Sequence, residues 1–246
     1  MTDDWWKDFF GGLVVDFWKA AMTPEVTRAE ADFLVRTLRL GPGSRVLDVP
    51  CGAGRLAIEL AERGCCMTGV DISSEFLEAG RSTASKRGLE IEWRQSDMRD
   101  LPWESTFDAA FCGGSSFGFF DDAGNAAFLA AASRTLRPGG RFFADFKAAE
   151  SILPNFRESR EIDLEDLRFE AKNRYDPETG TMESVYVITR GGRSETKRAV
   201  TRIYTTREIL RMLSDAGFEG FETSGSLEGE PFRLGSPNLL VVARNR

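Results

Sequence analysis

Two carboxylates flank a pair of glycines in the first third of the chain, and this spacing can do chemistry. Asp48 ends the apolar run that begins at Val46, Gly52 and Gly54 follow, and Asp71 ends the next apolar run. Glycine lets a backbone turn sharply and approach a ligand closely. A carboxylate at the end of a strand can accept hydrogen bonds from ribose hydroxyls. The pattern therefore predicts a nucleoside-binding unit of strand, glycine turn, helix and strand.

The glycine turn alone leaves two classes of enzyme open. The segment from Gly52 to Ala57 also fits the G-x-G-x-x-A form of a dinucleotide site, so an NAD(P)-dependent oxidoreductase is an alternative. That alternative explains neither Asp48, which precedes the glycines, nor the pair Asp97 and Met98. The chain also has no Y-x-x-x-K pattern that could replace a histidine in proton transfer.

Apolar periodicity places these residues on alternating strands and helices. We expect strands near 45–49, 66–71, 90–94, 107–112 and 140–146, and helices near 54–63, 74–87 and 121–136. Such alternation predicts a parallel sheet with helices on both faces and ligands bound beyond the carboxyl ends of the strands. Asp48, Asp71, Asp97 and Cys112 fall at strand ends, so we expect them to converge on one rim. Asp71 is expected to be open to solvent there and to contribute little to folding.

Two further regions flank this alternating pattern. Residues 1–40 contain an aromatic-rich segment and a helix that Thr23 and Pro24 begin, which predicts a helical lid or cap. Helical signals vanish after about 155, and residues 151–204 predict an inserted cap of three antiparallel strands, which either covers substrate or mediates dimerisation. Residues 41–150 and 205–246 would form the main domain.

Five segments in order resemble the class I S-adenosylmethionine-dependent methyltransferases, over about residues 40–150 and 205–244. They are Val46–Arg55, Val70–Asp71, Gln95–Met98, Phe107–Gly114 and Leu136–Phe143. The resemblance implies an α/β fold with a doubly wound, mostly parallel seven-stranded sheet in the order 3-2-1-4-5-7-6. It also implies S-adenosylmethionine as cofactor, with S-adenosylhomocysteine as product. One departure is Pro50, which stands where the family often has the first glycine of its loop.

The resemblance also implies which residues bind the cofactor and the methyl acceptor. Asp71 would hold the ribose diol, Asp97 would accept from the exocyclic amine of adenine, and Met98 would pack on the adenine ring. The full cofactor set is Asp48, Cys51, Gly52, Gly54, Arg55, Asp71, Ile72, Asp97, Met98, Cys112 and Gly113. The acceptor set is Trp18, Ser115, Ser116, Phe117 and Lys147.

Phe120 and Asp145 lie close in sequence to the acceptor set but are not part of it. Phe120 is expected to seat the next helix rather than to line the site. Asp145 and Lys147 both follow the fifth strand and point toward the rim, but neither is assigned as a base. No catalytic residue is assigned.

Composition narrows the chemistry further. The formal net charge of −7 argues against a nucleic-acid surface, since phosphate binding needs clustered cations. The chain has no histidine, which excludes a histidine base and a Ser-His-Asp triad. Its four cysteines form no C-x-x-C pair, so no metal site is expected. The acidic start, Met1-Thr2-Asp3-Asp4, and the lack of a long apolar run predict a cytoplasmic protein without a membrane segment.

These observations combine into one leading expectation. The chain would transfer a methyl group from S-adenosylmethionine to a small molecule or a peptide end, mainly by positioning the acceptor for in-line displacement. Its partner would be this acceptor, and it would act as a monomer or homodimer. The alternatives are the NAD(P)-dependent oxidoreductase and a methyltransferase fold kept as a non-catalytic binding module.

Overall fold

The computed structural model of the chain describes residues 4–246. Met1, Thr2 and Asp3, which open both the acidic start and the predicted 1–40 cap, lie outside the described residues. Within residues 4–246, no helix combines the length and the apolar character that crossing a membrane requires.

Eight α-helices and eleven strands are found between residues 4 and 246. In chain order they are α1 (Trp6–Phe9), α2 (Leu13–Ala21), α3 (Pro24–Leu38), β1 (Arg45–Asp48), α4 (Arg55–Glu62), β2 (Cys66–Asp71), α5 (Ser74–Lys86), β3 (Glu92–Gln95), β4 (Phe107–Cys112), α6 (Asp122–Thr135), β5 (Leu136–Phe146), α7 (Ala149–Ile152), β6 (Ser159–Leu164), β7 (Leu167–Asp176), β8 (Thr181–Arg190), β9 (Arg193–Arg202), α8 (Thr206–Asp215), β10 (Phe218–Ser224) and β11 (Leu239–Asn245).

Seven strands form the central sheet in the order β10-β11-β5-β4-β1-β2-β3. Strand β11 runs antiparallel to both β5 and β10, and the other neighbours are parallel. The predicted doubly wound, mostly parallel sheet and its order are therefore confirmed. The inner strands are apolar along their length because helices cover both faces of the sheet. Phe128 of α6 and Leu213 of α8 belong to the core on one face, and Phe33 of α3 and Leu60 of α4 to the core on the other.

The insertion between β5 and α8 forms a separate antiparallel sheet in the order β6-β7-β8-β9. Sequence patterning predicted three strands here, and the structure has four. The missed strand is β6, an edge strand whose residues are mostly exposed, so it lacks the alternation that marks a strand. The predicted hairpin turn is confirmed, since Gly191 and Gly192 both adopt positive φ, 54° and 82°, between the paired Arg190 and Arg193.

Helices α1 and α2 lie between the two sheets and contact both. The ring of Phe17 stacks on Phe169 of β7 with centroids 4.4 Å apart, and the backbone N–H of Leu13 donates to Oε2 of Glu195 at 2.8 Å. On the other side, Oγ of Ser73 donates to the carbonyl of Phe10 at 3.0 Å. The aromatic start of the chain therefore bridges the insertion and the carboxyl edge of the central sheet.

Candidate active site

A cavity of about 570 Å³ opens at the carboxyl edge of the central sheet. Its walls come from the loops after β1, β2, β3, β4 and β5, from α1 and α2, and from one face of the inserted sheet. Thirteen of the residues singled out in the sequence line it. They are Trp18, Asp48, Cys51, Gly52, Arg55, Asp71, Ile72, Asp97, Met98, Gly113, Ser115, Ser116 and Lys147.

Three other residues from the predicted set do not line the cavity. Cys112 is fully buried in the hydrophobic core, and burial raises the pKa of its thiol well above the usual value. Because side chains alternate along a strand, the site at this position begins one residue later, at Gly113.

Phe117 is the second residue outside the cavity. Its ring packs against Phe146 and Tyr204, with centroids 5.1 and 5.7 Å away, inside the core. Phe119 and Phe120 line the cavity instead. The predictions for these two phenylalanines are therefore wrong: Phe120 lines the cavity, and Phe117 does not.

Gly54 is the third. Its φ is 70°, and a Cβ at this position would overlap the indole ring of Trp93 on β3. Gly69 and Gly80 would also meet that ring with an added Cβ. Gly52, in contrast, has φ 54° and only open space where a Cβ would point. The two glycines of the turn therefore differ: Gly52 faces the cavity, and Gly54 makes room for Trp93.

Asp71 is buried and already hydrogen bonded. The backbone N–H of Gly52 donates to Oδ2 at 2.7 Å, and the backbone N–H of Ser73 donates to Oδ1 at 2.8 Å. Only 6% of Asp71 is exposed, so the expectation that this residue is open to solvent is wrong. Burial raises the pKa of Asp71, against the lowering effect of these hydrogen bonds. A carboxylate offers about four lone-pair sites, which leaves room for further donors.

Asp48 forms the floor of the cavity beneath the glycine turn. It is buried, and this burial raises its pKa well above the ordinary value, although the charge of Arg55 works in the opposite direction. Arg55 in turn forms an ion pair with Glu30 of α3 at 2.5 Å. Asp48 forms no ion pair with any residue between 4 and 246, and a buried acid of this kind suits a cationic or hydrogen-bond-donating ligand.

Asp97 has a partner that sequence reasoning missed. Arg99 donates to its carboxylate from the backbone N–H and Nε, each at 2.9 Å, and from a terminal nitrogen at 2.6 Å. Burial alone would raise the pKa of Asp97, but these contacts outweigh it and the pKa is lowered. The guanidinium also lies 4.0 Å from the ring centroid of Phe120. An arginine two residues after a strand-end acid is a signal that the sequence did contain.

Near the ends of β4 and β5, Ser115 binds Asp145. Both the backbone N–H and the hydroxyl of Ser115 donate to Oδ2 of Asp145, each at 2.7 Å. Oδ1 is buried and has no hydrogen-bond partner within residues 4–246. Ser115 adopts φ 54°, a left-handed conformation uncommon for a residue with a side chain. Asp145 was not in the predicted acceptor set, although its position near the carboxyl end of β5 pointed to the rim.

Lys147 lies on the same stretch as Asp145, two residues further along. Burial lowers the pKa of its ammonium, and the charge of Asp145 opposes that lowering. It lines the cavity together with Asn238, which precedes β11.

The part of the cavity away from the glycine turn is walled by aromatic rings from the start of the chain, from α5, from the loop after β4 and from the inserted sheet. The rings are Trp5, Trp6, Phe9, Phe10, Phe17, Trp18, Phe76, Phe119, Phe120, Phe169 and Tyr186. The cavity therefore has a polar end lined by carboxylates and backbone and a chamber lined by rings, joined at the ends of β4 and β5.

Residues 46–140 match the family model described as a methyltransferase domain. Over these residues the chain is similar to a methyltransferase domain. The match spans the glycine turn, Asp71, the Asp97-Met98 pair and the end of β4, which are the segments that carry the resemblance to S-adenosylmethionine-dependent enzymes. It favours that interpretation over the nicotinamide-dependent alternative.

The individual proteins that are similar in sequence to this chain include methyltransferases. The chain is 30% identical over 142 residues to a ubiquinone biosynthesis O-methyltransferase of Xanthomonas oryzae, covering 55% of this chain and 58% of that protein. The chain spans about half the length of the curated relatives that it matches. Its match to uncharacterized mycobacterial proteins covers 43% of their length.

Two solved structures share the fold of the methyltransferase domain and its insertion. An S-adenosylmethionine-dependent methyltransferase from Clostridium acetobutylicum superposes with a TM-score of 0.84 at 16% identity, covering 95% of this chain and 99% of that one. The sugar N-methyltransferase KedS8 from a Streptoalloteichus species gives 0.70 at 22% identity, covering 96% and 94%. At these identities the likeness concerns the fold.

Proposed function

We propose that this protein transfers the methyl group of S-adenosylmethionine to a small-molecule acceptor. One observation carries the proposal: a single cavity joins the glycine turn of the segment that matches a methyltransferase domain to a chamber lined by aromatic rings. The names of a ubiquinone biosynthesis O-methyltransferase and a sugar N-methyltransferase among similar proteins support acceptors of small size. A chamber within a cavity of about 570 Å³ suits such molecules better than a macromolecule.

The cofactor is assigned to the polar end of the cavity. Asp71 would accept from the ribose hydroxyls with the lone pairs that Gly52 and Ser73 leave free. Met98, buried beside Asp97, would pack on the adenine ring, and Asp97 would accept from its amine while Arg99 holds it. Gly52 and Asp48 would face the methionine end, where the buried acid suits an ammonium.

Methyl transfer in this site needs positioning more than acid-base catalysis. The sulfonium of the cofactor is already an activated donor, and the acceptor needs only to be held in line with the sulfur and the methyl carbon. A lone pair of the acceptor nitrogen or oxygen would form the bond to the methyl carbon while the carbon–sulfur bond breaks with its electron pair left on sulfur, and the proton that the methylated acceptor then carries would pass to water. The absence of histidine from the chain is compatible with this chemistry.

The N-terminal helices and the inserted sheet are proposed to act as covers of the acceptor. Tyr186 and Ile188 of β8 and Phe169 of β7 line the cavity from the insertion, and Phe9 and Phe17 line it from the start of the chain. Closing an active site in this way excludes water from the reacting groups.

Release of S-adenosylhomocysteine from S-adenosylmethionine, measured with a panel of small amines, phenols and hydroxy acids, tests the proposal. We expect at least one acceptor to raise product formation well above the rate without acceptor. Tight binding of S-adenosylhomocysteine with no turnover for any acceptor would instead favour the non-catalytic binding module.

A further inference from the structure

One carboxylate oxygen of Asp145, a residue that lines the cavity, has no hydrogen-bond partner among residues 4–246. Both donors of Ser115 bind Oδ2, so the carboxylate cannot rotate freely, while Oδ1 is buried without a partner within the described chain. A buried acceptor that stays unpaired costs free energy, and native structures rarely leave one so. Asp145 lines the cavity, which means that a bound molecule can supply the missing donor.

The position of Asp145 places this oxygen where the cofactor and acceptor regions meet. Strands β4 and β5 run parallel, with Cys112 paired to Ala144, so Gly113 and Asp145 follow at neighbouring strand ends. Phe119 and Tyr186 line the same cavity, and the faces of aromatic rings attract cations.

The charges around the cavity favour a cationic group at this point. Glu30 and Asp97 are neutralised by their ion pairs with Arg55 and Arg99. Asp145 is in no ion pair in the described part of the chain, and the nearby Lys147 forms none with it either. Burial lowers the pKa of Lys147, whereas the charge of Asp145 acts to raise it.

We propose that the acceptor presents an amine nitrogen, and that Oδ1 of Asp145 accepts its N–H. This inference rests on the proposed methyl transfer and names the class of its acceptor. An amine that binds as its ammonium first releases one proton to water, and the free base then attacks: its lone pair forms the nitrogen–carbon bond, and the carbon–sulfur bond breaks with its pair left on sulfur. The positive charge moves from sulfur to nitrogen, next to the carboxylate. The product leaves as a methylated ammonium, which exchanges its proton with bulk water.

Two probes of the same shape separate an amine site from a hydroxyl site. Phenethylamine and 2-phenylethanol are titrated into the full protein saturated with S-adenosylhomocysteine, and binding is followed by the emission of the tryptophans that line the cavity. We expect the amine to bind about tenfold more tightly, as a charge-assisted hydrogen bond implies. Asp145→Asn should bring the two affinities within about twofold of each other, and the control Asp163→Asn, on exposed β6, should leave the preference unchanged.

Several outcomes would overturn the inference. Equal binding of the two probes to the wild-type protein, or binding of neither, would do so even if Asp145→Asn failed to fold. A preference that survives in Asp145→Asn would remove Asp145 from the acceptor site. A loss of S-adenosylhomocysteine affinity in Asp145→Asn would assign the oxygen to the cofactor's own ammonium instead. No binding of S-adenosylhomocysteine to the wild type would overturn the proposed function itself, and this inference with it.

Discussion

Asp71 and Gly52 are joined directly: the backbone N–H of Gly52 donates to the carboxylate of Asp71 at 2.7 Å. The glycine turn after β1 and the acid at the end of β2 therefore form one unit before any ligand binds. The second oxygen of Asp71 accepts from Ser73, which also caps α5 and holds the carbonyl of Phe10. A single buried carboxylate thus links the proposed ribose site, the start of α5 and the N-terminal helices.

Replacing Asp71 should cost both affinity and stability. Asp71→Ala removes the proposed hydrogen bonds to the ribose, so affinity for S-adenosylhomocysteine should fall at least about tenfold, or 1.4 kcal/mol. It also leaves the N–H groups of Gly52 and Ser73 without acceptors, at roughly 1–3 kcal/mol each. Calorimetric titration and thermal melting check the two effects. The control Glu228→Ala, an exposed acid, should change neither, and wild-type affinity in Asp71→Ala would show that the ribose lies elsewhere.

The two glycines of the turn should respond differently to alanine. Both have positive φ, which costs a non-glycine residue about 1–2 kcal/mol. Gly54→Ala should lose more stability than Gly52→Ala, because its methyl group overlaps Trp93. Gly52→Ala should lose more cofactor affinity, because its methyl group enters the cavity. Denaturant unfolding and calorimetry measure both quantities. Adding Trp93→Ala should recover part of the loss in Gly54→Ala, and no recovery would contradict the proposed packing conflict.

The ion pair of Asp97 predicts a pH dependence of stability. The pKa of Asp97 is lowered in the folded protein, so its contribution is present above the unfolded pKa and is lost as pH falls through the folded value. Asp97→Asn should therefore lower the free energy of unfolding by about 1 kcal/mol near neutral pH, since the pair is partly exposed. The difference from wild type should shrink toward zero in acid. Urea unfolding at several pH values tests this, with Asp163→Asn as control, and a pH-independent difference would show that the charge of Asp97 is not responsible.

Phe17 should fix the N-terminal helices, and its neighbour Trp18 should not. Phe17 is buried and stacked on Phe169, whereas 41% of Trp18 is exposed. Truncation of a buried phenylalanine costs about 3–5 kcal/mol where the site cannot collapse. Phe17→Ala should speed hydrogen exchange in α1, α2 and β7, and Trp18→Ala should have little effect on it. Equal protection in both variants would mean that the stacking does not hold α2 in place.

The strands and helices of the central sheet could be predicted from the sequence because the patterns that mark them involve residues close together in the chain. Alternating apolar segments, strand-end acids such as Asp48 and Asp71, and the cap at Thr23 depend on short spacings that a single chain reveals. The errors arose at residues whose surroundings are determined by contacts between segments that are far apart in the chain. Gly54 is required by Trp93 on another strand, and the Asp71 carboxylate accepts from the backbone N–H of Gly52 in the turn after β1.

Loops and edges account for the remaining errors. Which phenylalanine after β4 faces the cavity depends on the path of an irregular loop, so Phe117 and Phe120 were exchanged. Strand β6 is mostly exposed and polar, and only its pairing with β7 makes it a strand. The role of Arg99 needed the geometry of its guanidinium against both Asp97 and Phe120.

Calorimetric titration of the wild-type protein with S-adenosylhomocysteine, alongside NADH, tests the central claim most directly. The polar end of the cavity predicts one site per chain that binds S-adenosylhomocysteine with a dissociation constant well below millimolar, and no comparable heat from NADH. A protein that is folded by circular dichroism, yet binds no S-adenosylhomocysteine at millimolar concentration, would contradict the assignment of this cavity to the methyl donor.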